Sequence, residues 1–290
     1  MLLHNLIHEF LADGKYRKLS PKTTIMYEQV LKAFERFCKQ EEIIKVSSIL
    51  SNHLKEYALS LQKRDIKSGG IALRFRVIRA MFSYAEREEI LTTYPFKRFK
   101  IPRIEKQVMS YVTFEEYEAL MLAARGGQNP LRDTTIISLL FDTGMRIGEL
   151  LNLTEADLLT GQGMLKVSGK TGGRIIPVSR SVVKRLREYL RVERPTSRLA
   201  PLFLTFSEES MTYGSTKLML QRTFKRAGLK YKSPHCFRRG FATRLILNGG
   251  DVFSLQRILG HTTLTMSSRY AVLNEDSLKQ VHMIASPTRK

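Results

Sequence analysis

From Leu2 to about Glu89 apolar side chains recur at intervals of three and four, as in Tyr27, Val30, Leu31, Phe34 and Phe37, the spacing of one buried helical face. Ser20 followed by Pro21 supplies an N-cap and a first helical residue already fixed in φ, and Gly69-Gly70 separates a third helix from a fourth. The pattern predicts one helical domain of four helices over residues 1–93. Between Tyr94 and Ser110 the text changes to YPFKRFKIPRIEKQVMS, where two prolines break helix and Lys97, Arg98, Lys100, Arg103 and Lys106 crowd together. This reads as an extended basic linker over 94–110, a solvated strap that can also lie along a polyanion. From Tyr111 helical spacing returns, interrupted by one β signal: MLKVSG, the turn KTGG, then RIIPVS, a hairpin. The expected fold is mainly α with a small β-sheet in a second domain spanning 111–290, and no internal repeat is visible.

Composition sharpens the choice of partner. In 290 residues, 48 Lys plus Arg stand against 27 Asp plus Glu, a formal charge of +21, which excludes an ordinary enzyme of small neutral molecules and implies a polyanion. The basic residues are spread through segments with core-like apolar spacing, which favours nucleic acid over a membrane surface. No apolar run approaches the roughly 18 residues that span a bilayer, and the opening MLLHNLIHEF is unlike a signal peptide, so a cytoplasmic location is expected. Cys38 and Cys236 form neither a disulfide framework nor a C-x-x-C zinc pair and read as reduced, small apolar side chains.

Four constellations carry chemistry. The segment SGKTGG fails the phosphate-loop template, because Met164 stands where the first glycine is required and Lys170 leads into a strand rather than a helix. What remains is a lysine at a hairpin tip, able to reach a phosphate or a leaving oxygen. In LLFDTGMRIGELLNL, Arg146 and Glu149 lie three apart, on one helical face after a turn at Thr143-Gly144; a surface ion pair has the same spacing. In KSPHCFRRGFATRLIL a helix starts at Ser233-Pro234 and sets His235 and Arg238 one turn apart on an exposed face, away from the stripe Phe237, Phe241 and Leu245. In LQRILGHTTLTMSSRYAVL, Gly260 caps a helix and His261 begins a short connection to Tyr270.

Together, Arg146, Lys170, the H-x-x-R of His235 and Arg238, the L-G-H ending at His261, and Tyr270 in R-Y resemble the active-site set of the tyrosine recombinases, the phage-integrase and Xer family. The match keeps the family's order, includes Glu149 three after the first arginine, and extends over essentially the whole chain. The resemblance implies a helical, SAM-like core-binding domain, a basic interdomain strap contacting DNA through Lys97, Arg98, Lys100, Arg103 and Lys106, and a catalytic domain. It also implies a site-specific recombinase that cuts and rejoins double-stranded DNA sites through a 3′-phosphotyrosyl link on Tyr270, without metal, ATP or other cofactor. Two guanidiniums suit the nonbridging oxygens of a phosphodiester under attack, and ionising a tyrosine of pKa about 10 at neutral pH costs roughly 4 kcal/mol, which neighbouring cations and an accepting His235 reduce. By the same resemblance Lys170 is the general acid, His235 an acid or base, His261 a phosphate hydrogen-bond donor and Glu149 an orienting group. Strand exchange implies a homotetramer on two sites, with Leu273–Ile284 as a docking helix, and leaves room for a second recombinase or accessory protein. The chain opens directly on the core-binding domain, which leans toward the Xer type. A type IB topoisomerase and a non-catalytic DNA-binding regulator are the rival readings; assembly on paired sites separates the first, covalent capture the second.

Overall fold

The computed structural model describes residues 1–91, 93–102, 110–159, 161–169, 172–195, 200–260, 263 and 282–283. The chain divides into two compact units, Met1–Gln107 and Val108–Lys290.

The first unit contains the four predicted helices, α1 (Leu3–Tyr16), α2 (Pro21–Gln40), α3 (Ser51–Lys63) and α4 (Ser68–Arg87). The Ser20 hydroxyl accepts the Thr23 N–H at 3.2 Å, capping α2 one residue before Pro21. Val30, Leu31, Phe34 and Phe37 are buried as their spacing requires, against Leu6, Phe10, Leu54, Tyr57, Phe75 and Ile78. The break before α4 falls earlier than the glycine pair: Asp65 takes the left-handed conformation (φ 55°), and Gly69 and Gly70 lie in the first turn of α4.

The segment after Tyr94 is not a solvated strap along its described length. Pro95–Lys97 forms a short 3-10 turn whose Pro95 carbonyl accepts the Ser51 hydroxyl at 2.5 Å. Phe96 and Phe99 are buried, with Phe99 4.7 Å from the Phe75 ring centroid and perpendicular to Phe96 at 5.6 Å. Lys97, Arg98 and Lys100 alternate with these anchors and are exposed. The sequence pattern was dominated by its prolines and charges; the two phenylalanines decide the outcome, because burying each removes a large apolar surface from water. Arg103 and Lys106 lie outside the described residues.

The second unit holds, in chain order, α5 (Phe114–Arg125), α6 (Pro130–Thr143), α7 (Ile147–Leu151), β1 (Leu158–Leu159), β2 (Met164–Gly169), β3 (Gly172–Pro177), α8 (Arg180–Val192), α9 (Tyr213–Arg226), α10 (Pro234–Leu247) and α11 (Val252–Leu259). Its helices and one antiparallel sheet, ordered β1-β2-β3, make the protein mainly α with a small sheet. Helix α6 is the central element, packed by α5, α8 and α10 and buried nearly all round. Its polar positions find partners within the helix and on its neighbours: the Thr135 hydroxyl donates to the Leu131 carbonyl at 2.6 Å, Arg132 pairs with Asp133 at 2.8 Å, and the Leu131 and Arg132 N–H groups donate to Glu193. The hairpin is tighter than KTGG suggested. Gly169 pairs with Gly172 and Ser168 with Gly173, so both glycines of that stretch belong to β3. Leu165, Val167, Ile176 and Val178 are buried, and the exposed Ile175 faces outward. Cys38 and Cys236 are free and buried, and no helix among the described residues is long and apolar enough to cross a membrane.

Replacing Phe96 by Ala is expected to destabilise the first unit by about 3–5 kcal/mol, read as a lower denaturation midpoint. An unchanged midpoint would return this segment to a solvated strap.

Candidate active site

The site is assembled around the end of α6. Gly144 ends that helix in the left-handed conformation (φ 59°), and a Cβ there would meet the Phe241 ring at 2.7 Å and Leu259 at 2.9 Å. The chain turns so sharply that Met145 is buried and Arg146 becomes the N-cap of α7. Arg146 and Glu149 therefore do not share a helical face as their spacing suggested. Glu149 reaches back as a capping residue: the Arg146 backbone N–H donates to its Oε2 at 2.8 Å, and the Arg146 guanidinium Nη1 donates to its Oε1 at 2.9 Å.

A second guanidinium completes the carboxylate. Arg174, on β3, donates from Nη1 to Glu149 Oε1 at 2.9 Å and from Nη2 to Oε2 at 3.0 Å, a bidentate fork. Glu149 is 3% exposed, and burial alone would raise its pKa; the hydrogen bonds from Arg174 and from the Arg146 backbone and side chain override that and hold it at about 2.

The arginines also converge on the C-terminus of α11. Arg174 Nε donates to the Ile258 carbonyl at 2.6 Å, Arg238 Nη2 to the Leu259 carbonyl at 2.6 Å, and Arg146 Nη2 to the Gly260 carbonyl at 3.3 Å. Three consecutive carbonyls that a helix end leaves without internal donors are thus each met by a different arginine. Gly260 closes the helix in the left-handed conformation (φ 63°), and a Cβ there would meet the Arg174 guanidinium at 3.0–3.2 Å. Arg238 further donates from Nη1 to the Gly144 carbonyl at 2.9 Å, joining the turn that sets Arg146 to the end of α11.

Arg238 is 6% exposed, so it does not share an exposed face with His235 as the sequence pattern suggested. Helix α10 is packed on several sides, and Arg238 points inward because backbone carbonyls receive it there. His235 stays at the surface in the first turn of α10. Desolvation by its surroundings, then the charges of Arg238, Arg239 and Arg146, lower its pKa, so the imidazole is neutral at pH 7 and offers an acceptor nitrogen.

Arg146, Glu149, His235 and Arg238 are therefore brought together. Lys170, His261 and Tyr270 lie outside the described residues, as does Leu273–Ile284 apart from His282 and Met283. The chain runs directly into Lys170 from Gly169, where a Cβ would stand 3.1 Å from Glu149 Oε1, and into His261 from Gly260. Arg174 was missed in the sequence. Its signal was parity: in RIIPV, Arg174 shares the inward face with Ile176 and Val178, and an arginine at a buried strand position requires a partner.

The phage integrase family matches residues 110–276 of the chain, and the phage integrase SAM-like domain matches residues 2–101. The tyrosine recombinase XerC of Pelotomaculum thermopropionicum is 28% identical over 302 residues, 98% of each chain. The tyrosine recombinase XerD of Staphylococcus haemolyticus is 29% identical over 290 residues, 97% of this chain and 98% of that one. Among solved structures, the Tn1549 transposon integrase in complex with transposon right end DNA superposes with a TM-score of 0.83 at 22% identity, covering 99% of this chain and 100% of that one. A lambda integrase dimer bound to a COC' core site gives 0.77 at 22% identity, covering 92% and 97%. At these identities the structural likeness concerns the fold.

Two outcomes follow from the electrostatics. Because the Glu149 pKa is depressed from 4.5 to about 2, its stabilisation is present above 4.5 and lost as pH falls toward 2. Glu149→Gln should cost about 3–5 kcal/mol near neutral pH, with the gap to wild type closing on acidification; a pH-independent gap would exclude the ion-pair account. In an NMR titration of the free protein, His235 should titrate below its usual value of 6.5, and Arg239→Gln should move it upward.

Proposed function

The chain belongs to the phage integrase family and is a site-specific tyrosine recombinase, a DNA-cleaving and rejoining enzyme with a tyrosine nucleophile; from that premise we propose that Tyr270 is the nucleophile and that the arginine cluster around Glu149 holds the scissile phosphate. The observation that carries this assignment is the convergence of Arg146, Arg174 and Arg238 on one carboxylate and one helix end, beside a neutral His235. Two guanidiniums, Arg146 and Arg174, share the single carboxylate of Glu149, and a cationic site of this kind is matched to a phosphodiester.

In the proposed reaction the Tyr270 oxygen attacks phosphorus, its proton passes to His235, and the bond to the 5′ oxygen breaks as Lys170 protonates that oxygen. The products are a 3′-phosphotyrosyl ester and a free 5′ hydroxyl. One phosphate ester replaces another of similar energy, so a 5′ hydroxyl from a second site can reverse the steps and rejoin a new strand. Charge developing on the nonbridging oxygens is met by Arg146 and Arg238, with His261 as a further donor, and Glu149 orients the arginines. No divalent cation is required by this scheme. Among the described residues no group of three or more His, Cys, Asp or Glu side chains is placed to hold one.

The DNA partner is a duplex recombination site in the cytoplasm, contacted along its backbone by Lys97, Arg98 and Lys100, which are exposed, and by Arg103 and Lys106. Strand exchange between two such sites requires four active protomers, so the working form is proposed to be a homotetramer with Leu273–Ile284 as the docking segment, with or without a second recombinase or accessory protein.

The test is covalent capture from a library of nicked duplexes of randomised sequence, without metal or ATP. Wild-type protein should select a site and form a denaturant-resistant adduct there, Tyr270→Phe should form none, and Arg146→Lys should slow adduct formation about 100- to 1000-fold. A selected site bound tightly by wild type without any adduct would overturn the assignment.

A further inference from the structure

We infer that Arg174 is a positioning residue of the recombinase reaction, which keeps Arg146 available to the scissile phosphate by saturating the Glu149 carboxylate. This rests on the proposed recombinase chemistry and extends it to a side chain outside the family pattern read from the sequence.

An ionised carboxylate offers about four acceptor sites, two on each oxygen. On Glu149 all four are filled: Oε1 receives Arg146 Nη1 and Arg174 Nη1, and Oε2 receives the Arg146 backbone N–H and Arg174 Nη2. Half of this set comes from Arg174. Arg146 in turn commits only Nη1 to the carboxylate and touches the Gly260 carbonyl with Nη2 at 3.3 Å, while a third of its side chain stays exposed. Remove Arg174, and a carboxylate that is 3% exposed has two empty acceptor sites and a single cationic partner. Arg146 is already bonded to both carboxylate oxygens and has further N–H groups to fill them, and the favoured geometry for an arginine and a carboxylate is the two-bond fork. Arg146 then folds onto Glu149 and away from the phosphate.

The other contacts of Arg174 place the same control on the opposite wall. Its side chain is 13% exposed, its Nε holds the Ile258 carbonyl, and its guanidinium lies against Gly260, the residue before His261. It sits on β3 within the hairpin whose other strand ends at Gly169, the residue before Lys170. One planar group thereby links the hairpin, the α7 N-terminus and the α11 C-terminus. A lysine, a point charge without the fork, cannot hold both carboxylate oxygens and the Ile258 carbonyl at once.

The experiment uses full-length protein and the nicked duplex selected by covalent capture, measuring single-turnover adduct formation and, separately, duplex affinity. Arg174→Gln is expected to slow adduct formation by about tenfold to a hundredfold while affinity changes by less than about threefold. Adding Glu149→Gln to that variant removes the charge that traps Arg146, so the double variant is expected to react at least about threefold faster than Arg174→Gln alone. A scaffold role predicts the reverse, because a second lost contact only adds damage. A wild-type rate in Arg174→Gln, or a double variant no faster than the single, overturns the inference. Should Arg174→Gln lose duplex binding, Arg174→Lys decides: a slower rate at unchanged affinity supports the role, and a wild-type rate overturns it. If wild type itself forms no adduct, the recombinase reading has failed; a crystal structure of Arg174→Gln then tests the inference alone, with Arg146 bidentate on Glu149 expected and an unmoved Arg146 overturning it.

Discussion

The site of this protein depends on neutralising one buried charge. Glu149 is taken out of water at the start of α7, and an uncompensated carboxylate there would oppose folding by several kcal/mol. Its compensation draws in Arg146 from its own turn and Arg174 from β3, and these two, with Arg238, also satisfy the last carbonyls of α11. The buried anion and the helix end are both sinks for N–H donors, and the same guanidiniums fill both. The β3 strand and the start of α7 are thereby tied to the end of α11 by side chains that a phosphodiester also attracts. The rest of the second unit supports this arrangement. Helix α6 is buried and held by hydrogen bonds to its neighbours, so its end is fixed, and Gly144 then makes a turn closed to any side chain because Phe241 and Leu259 already occupy the space.

The helical periodicity of the first unit was legible because each helix has one buried face, and so were the caps at Ser20 and Gly260 and the hairpin. Composition misled where a few apolar residues outweigh many charges: Phe96 and Phe99 bind their segment to the first unit although lysines and arginines surround them. Amphipathic reasoning also misplaced Arg238. It assigns charged residues to the exposed side of a helix, yet the Gly144 and Leu259 carbonyls replace the water that the Arg238 guanidinium loses on burial. The pair Arg146 and Glu149 was identified but its geometry was not, because spacing alone does not tell a helical face from a cap. Arg174 was hidden for another reason. Its partners, Glu149 and Ile258, are remote in sequence, and only its parity with Ile176 marked it as inward-facing.

The balance of charge in the cluster connects stability with function. Arg146 and Arg174 share the Glu149 carboxylate, and Arg238 meets the same helix end, so positive charge gathers in a partly desolvated place where like charges repel. The pKa of His235 is lowered first by desolvation and then by the charges of Arg238, Arg239 and Arg146, all of which disfavour its protonation. In the proposed reaction a phosphate enters this cluster, so the substrate anion would also relieve the repulsion between the guanidiniums. Binding to the folded state and not to the unfolded chain then stabilises the second unit by mass action. Desolvation and these cations both favour the neutral imidazole of His235, the state that the proposed reaction needs for accepting a proton from the nucleophile. In the proposed site pre-organisation comes from shared partners: Glu149 holds Arg146 and Arg174 together, and the end of α11 holds both of them beside Arg238.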